Sequence, residues 1–261
     1  MTQARVAAVA LAVLLAVVGI GVALSRGGDA TNALATTTTT TAPAPQQAGS
    51  STTAASAPNQ TRRPAPGTYR YHYERTGSSP QSYDAALVIA HTSAGYTESR
   101  DRQSVKVVRI FATTPDGVHD NGFRLDSGSG RATCAWDHPF MMLPRDPKPQ
   151  QRWTGQAACT LKVGGTASTV RIDSTSTVVK LVDSKVGDAT VPLVRIDRKV
   201  TLRTTVNKQT ATRTSTFTDY YDTTRGLLAQ STEDATETGP SGTTTYRIVE
   251  TMLTVQPEVS R

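Results

Sequence analysis

The chain is poor in the residues that build enzyme centres and helical domains. Aromatic residues make up 5% of it, histidine occurs four times and cysteine twice among 261 residues. The four histidines, His72, His91, His119 and His138, sit in separate segments, and no pair has a metal-ligand spacing. There is no CxxC and no G-x-S-x-G elbow, and Ser127-Gly128-Ser129-Gly130 reads as a turn. His119-Asp120 and Asp137-His138 are neighbours in sequence, but adjacent strand residues face opposite sides and would need a bend to act together. The acids Glu233, Asp234 and Glu237 lie close to a turn and read as a solvated edge. We therefore expect no catalysis, no metal and no cofactor.

Long basic runs are also missing. The net charge is +7, of which residues 1–63 hold +3, leaving 24 basic against 20 acidic residues beyond them. No basic run exceeds a pair such as Arg198-Lys199, and none is interleaved with aromatics, so no nucleic-acid partner is expected.

What is present divides the chain into three parts. Val6 to Leu24 is an uncharged apolar run flanked by Arg5 and Arg26. Its length fits a membrane span of about 20 residues better than the h-region of a signal peptide, with the N-terminus inside and the remainder outside. Cleavage after Ala33-Leu34-Ala35 is the alternative, which would make the chain secreted rather than single-pass at the cell membrane. Residues 1–26 are thus an anchor or signal peptide and a point of contact with the membrane. Residues 27–66 are Thr, Ala, Ser, Pro and Gln, including Thr36–Thr41, too apolar-poor to order themselves. Such a linker has a relaxed span of roughly 35 Å and a stretched reach of about 130–140 Å, either as a spacer lifting the domain from the bilayer or as a plain connector.

Residues 67–256 have the period of strands. Tyr69, Tyr71 and Tyr73 point one way while Arg70, His72 and Glu74 point the other. Further strands are predicted at Tyr83–His91, through Tyr96, and at Ser104–Thr113, Gly122–Leu125, Arg131–Trp136, Arg152–Val163, Ser168–Val182, Ala189–Val206, Ala211–Tyr221, Leu227–Ala235 and Thr243–Val255. Their short, turn-like connectors imply antiparallel neighbours. After residue 66 no window of twelve or more residues carries a helical period. The predicted fold is all-β: a large antiparallel meander curled into a half-barrel or open barrel, preceded by one transmembrane helix and a disordered linker.

Cys134 and Cys159, both in the exported part, predict one disulfide. Closing that loop contributes about 3–4 kcal/mol on a chain-entropy argument. The enclosed segment holds Pro139, Pro144, Pro147 and Pro149 and reads as a proline-rich loop. Within it Phe140-Met141-Met142-Leu143 is an unusual apolar cluster, either a plug over the open end of the sheet or a patch that meets a lipid or partner.

Several short stretches carry a resemblance. Gly187 to Asp197, then Thr218-Asp219-Tyr220-Tyr221-Asp222 and Arg225-Gly226-Leu227-Leu228-Ala229, are similar to exported half-barrel proteins of the bacterial lipoprotein-carrier type. Pro66-Gly67-Thr68-Tyr69-Arg70-Tyr71 and the Cys134…Trp153…Cys159 arrangement resemble uncharacterised actinobacterial membrane-anchored proteins. The resemblance implies a curved antiparallel sheet that shelters acyl chains beneath helical lids, and such lids have no counterpart in the periodicity here. The resulting expectation is a non-enzymatic, membrane-tethered extracytoplasmic β domain that binds a lipid, an envelope component or a partner protein. Its candidate contact surfaces are the Tyr69/Tyr71/Tyr73 face and Phe140, Met141, Met142 and Leu143. The alternatives are a structural envelope module without a pocket, and a hydrolase whose site is assembled from distant strands.

Overall fold

A computed structural model describes residues 63–258 other than 103, 104, 129, 164, 165 and 187. The predicted membrane segment and nearly all of the predicted linker lie outside the described residues. Twelve strands make up the rest: β1 (Gly67–Gly77), β2 (Gln81–His91), β3 (Gly95–Arg102), β4 (Val105–Thr113), β5 (Gly117–Ser127), β6 (Gly130–Pro144), β7 (Arg152–Val163), β8 (Thr166–Val186), β9 (Ala189–Val206), β10 (Gln209–Asp222), β11 (Leu227–Gly239) and β12 (Gly242–Met252). Among the described residues there is no helix.

The strands form a single antiparallel sheet in the order β6-β5-β4-β3-β2-β1-β12-β11-β10-β9-β8-β7. Every sequential pair is hydrogen-bonded except β6 and β7, and β12 pairs with β1, Tyr71 lying opposite Met252. The two edges of the sheet are therefore a pair of consecutive strands in mid-chain. The Cys134–Cys159 disulfide joins these edges with a Cα–Cα distance of 5.5 Å. A twelve-stranded sheet whose edges touch must curl almost fully round, so the curvature goes beyond a half-barrel to a nearly closed barrel with one seam.

β10 shows why these sequences make strands. Ala211, Arg213, Ser215 and Asp219 turn inward and are buried, while Thr214 and Thr216 turn out to solvent. Threonine on the outer face satisfies β propensity and keeps that face polar. The inner face of the barrel is apolar over much of its extent, with Tyr69, Tyr71, Leu87, Phe111 and Ile196 in one cluster. Each such side chain contributes about 1.5–3 kcal/mol through burial.

Other inward positions carry charge. Arg213 pairs with Glu233, Arg100 with Glu250, Arg198 with Asp219 and Arg109 with Asp120. Glu233 is 0% exposed, so the reading of Glu233 and its neighbours as a solvated edge fails for this residue. Its position follows from the strand period, which places Glu233 on the inner face with Ser231 and Ala235. Burying such pairs costs desolvation that their mutual attraction only partly offsets, so they are not simple core filler.

The proline-rich loop is the main correction to the sequence reading. β6 continues through Pro139 to Pro144, and only residues 145–151 connect it to β7. Opposite β5, Ala135 pairs with Gly122 and Phe140 with Asp120, which leaves Trp136 to Pro139 bulged out of the ladder. A bulge on an edge strand tolerates proline because no ladder bond needs its missing N–H.

Candidate functional site

The bulged stretch of β6 and the strands facing it across the lumen enclose a cavity of about 70 Å³. Arg109, Asp120, Trp136, Met142, Arg198, Asp219 and Tyr221 supply its polar and adaptable lining, with Phe123, Phe140, Ile172 and Phe217 as apolar walls. A water molecule needs about 10–15 Å³ of such space, so the cavity admits several waters or one small polar group.

Local chain geometry sets each group. The β4 period turns Arg109 inward between Val107 and Phe111. In β5 the extra residue Asn121 breaks the ladder, and buried Asp120 accepts three bonds there. Its Oδ1 accepts the Gly122 N–H and the Trp136 indole N–H, each at 2.8 Å, and its Oδ2 accepts Arg109 Nη2 at 2.6 Å. Gly122 is required at this corner: its φ is +127°, and a Cβ would lie 2.0 Å from the Cys134 carbonyl oxygen. A second irregularity, between Val118–Leu143 and His119–Met141, leaves Met142 unpaired, and its side chain is buried in the lumen.

From β9, Arg198 reaches the same point. Its Nη2 lies 3.3 Å from Asp219 Oδ2 and donates to the Tyr221 hydroxyl at 3.4 Å. Its Nη1 donates to the Met142 thioether at 3.3 Å, while its Nε has no partner. Asp219 Oδ1 accepts the Ser231 hydroxyl at 2.7 Å. Burial pushes the Asp219 carboxyl above its ordinary pKa, against the pull of Arg198 and Ser231. Burial acts to lower the pKa of Arg109, but Asp120 and Glu98 outweigh it and hold the guanidinium charged.

The residues singled out from sequence are distributed unevenly about this cavity. Tyr69, Tyr71 and Tyr73 share an inward face as predicted, and they are 1%, 1% and 3% exposed, packed into the core and absent from the cavity lining. Tyr71 donates its hydroxyl to the Leu228 carbonyl at 2.8 Å. Phe140 and Met142 line the cavity, Leu143 is buried against β5 opposite Val118, and Met141 is half-buried. All four belong to β6 rather than to a loop, which corrects their expected setting. The disulfide forms as expected.

Arg109, Asp120, Arg198, Asp219 and Tyr221 were not among the candidate contact residues, although Asp120 was noted beside His119 and Arg198 beside Lys199. The period places each on the inner face, but charged inner positions look like solvent positions until a facing wall is known.

A surface array was missed as well. On the outer face of the β1–β2 hairpin, His72 Nδ1 lies 2.8 Å from Asp84 and its Nε2 lies 3.3 Å from Ser82 Oγ. Pairing the two strands would have revealed it, since His72 stands opposite Asp84 in the register. The side chains of His72 and Asp84 are 43% and 61% exposed, so the array stands in solvent on the outer face of the barrel. Among the described residues, no group of three or more His, Cys, Asp or Glu side chains could hold a metal.

No family model matches the chain, and no curated protein matches it. Among solved structures it is similar to the hypothetical lipoprotein YmcC from Escherichia coli, at 13% identity over 74% of this chain and 87% of that one, with a TM-score of 0.36.

Proposed function

We propose that this chain is a non-enzymatic, extracytoplasmic binding module, tethered to a membrane by its N-terminal segment, that takes a small envelope ligand into the barrel lumen. The supporting observation is the cavity behind the β6/β7 seam, where two arginine–aspartate pairs from opposite walls meet an apolar lining. A barrel with no binding role has little reason to keep paired charges around a void, because apolar residues of similar volume fill such a space at no stability cost. The disulfide fits an oxidising compartment, as the exported topology requires.

Native mass spectrometry of the full chain, extracted from its own membrane, tests this reading. The expected result is an additional mass on the folded chain that denaturation releases. A wild-type chain that always arrives at its bare mass would favour a structural envelope module.

One observation favours a second reading, a surface hydrolase, namely the Ser82–His72–Asp84 array. A fluorophosphonate probe separates the two. The binding reading expects Ser82 to stay unlabelled, whereas labelling lost in His72→Ala would make the chain a serine hydrolase.

A further inference from the structure

The cavity at the seam has a distinctive chemistry at its centre. Arg109 on β4 and Arg198 on β9 approach from opposite walls and bring guanidinium nitrogens to 4.0 and 3.3 Å from one atom, the Met142 sulfur. A thioether is a weak acceptor, and it adds little to the bonds these guanidinium groups already make, Arg109 to Asp120 at 2.6 Å and Arg198 to Asp219 at 3.3 Å and to the Met142 carbonyl at 3.4 Å. Asp120 cannot serve in its place, since three donors already occupy it. Arg198 is 8% exposed, yet its Nε has no acceptor. An oxygen anion at the place of the sulfur would not reach Nε, on the other edge of the guanidinium, but would give Nη1 a charge-assisted bond where it now has only a thioether. The volume of about 70 Å³ holds a carboxylate or phosphate group, and Phe140, Ile172 and Phe217 offer an apolar surface beside it.

Building on the lumenal-binding reading, we infer that the ligand is a small amphiphile whose carboxylate or phosphate head bridges Arg109 and Arg198 in place of the Met142 thioether. The head is recognised by charge-assisted hydrogen bonds from two walls, and the body lies against the aromatic and aliphatic lining. Methionine suits this position because its flexible side chain withdraws readily when a better acceptor arrives.

Titration calorimetry on the full chain tests the inference with three probes: hexanoate, 1-hexanol and inorganic phosphate. Hexanoate is expected to bind at least about tenfold more tightly than 1-hexanol, the difference that one set of charge-assisted hydrogen bonds supplies. Arg109→Gln, at a side chain 33% exposed, and Arg198→Lys should each weaken hexanoate by about tenfold and narrow its advantage over 1-hexanol. Arg198→Lys keeps a cation beside Asp219, and circular dichroism confirms that each variant is folded. Phosphate binding with the same arginine dependence supports the inference and identifies a free anion as the source. Equal affinity for hexanoate and 1-hexanol overturns the anionic head while leaving lumenal binding intact, as does hexanoate binding that neither variant changes. If no probe binds but a ligand co-purifies, the inference fails alone. If no probe binds and the chain is bare, both readings fall and the cavity holds water only.

Discussion

The carboxylate of Asp137 on β6 accepts the backbone N–H of Ala158 on β7 at 2.7 Å, across the seam where the two edges of the sheet meet. Nearby, the Trp153 indole on β7 donates to the Met141 carbonyl on β6 at 2.8 Å. Side chains thus supply cross-seam bonds where the ladder does not, and the disulfide adds a covalent link. The bulge at Trp136 to Pro139 carries Asp137 to this position and also provides the bend that brings His138 Nδ1 to 3.4 Å from the same carboxylate.

Asp137 should make the seam acid-sensitive. The Ala158 N–H, with help from His138, holds its carboxyl below the ordinary aspartate pKa. A depressed folded pKa contributes stability above the unfolded value of about 3.9, and that contribution is lost as pH falls through the lower folded value. Asp137→Asn keeps an acceptor for Ala158 but removes the titration. Urea unfolding should show wild type more stable than the variant at pH 6, with the gap closing towards pH 2. A gap independent of pH would show that the negative charge of Asp137 plays no part.

Removing the disulfide should loosen the seam before the rest of the barrel. With Cys134 and Cys159 separated by 25 residues, Cys134→Ser with Cys159→Ser is expected to destabilise the fold by about 3.5 kcal/mol. Hydrogen exchange should accelerate in β6 and β7 first, because their facing edges lack a ladder. Uniform acceleration across all strands would argue that the disulfide only restricts the unfolded chain.

The Arg213–Glu233 pair should behave as a unit. Both residues are buried, and Glu233 Oε1 also accepts the Ser215 hydroxyl at 2.5 Å. Glu233→Gln leaves the guanidinium without its counter-charge and should cost about 3–5 kcal/mol, whereas Arg213→Met with Glu233→Leu should recover most of that loss. Denaturant titration of the two variants checks this, and equal losses would mean that Tyr246, 5.5 Å from Arg213, is also part of the unit.

Two glycines should respond in opposite ways. At Gly122 a Cβ would collide with the Cys134 carbonyl and the residue has φ +127°, so Gly122→Ala should cost about 2–5 kcal/mol. At Gly128 a Cβ meets nothing within 4 Å, so Gly128→Ala should leave the stability within about 0.5 kcal/mol of wild type. Thermal melts of both variants test this, and tolerance at Gly122 would mean that the β5 bulge is free to relax.

Much of the strand pattern was legible beforehand. Arg152–Val163 and Ala189–Val206 match β7 and β9 end for end, and the Tyr69/Tyr71/Tyr73 face turns inward as read. The second half of β6 was not legible. Pro139 and Pro144 look like loop residues, and only an edge position beside a bulge lets a strand carry them. The cavity arginines were hidden for a different reason. Alternation reveals which residues share a face, but Arg198 and Asp219 reveal nothing about which face is enclosed until β9 and β10 are seen to close over β4 and β6.

By itself, then, the sequence determined an all-β meander, its turn positions and the pairing of its only two cysteines. Each rests on local chemistry: side-chain alternation, turn residues, and a cysteine count of two. The tertiary structure alone decided that β12 closes on β1, that the seam falls between β6 and β7, and that inward-facing ions meet around a cavity. Those outcomes depend on how far a twelve-stranded sheet curls, and curvature arises from twist and bulges summed over all its strands rather than from any one segment.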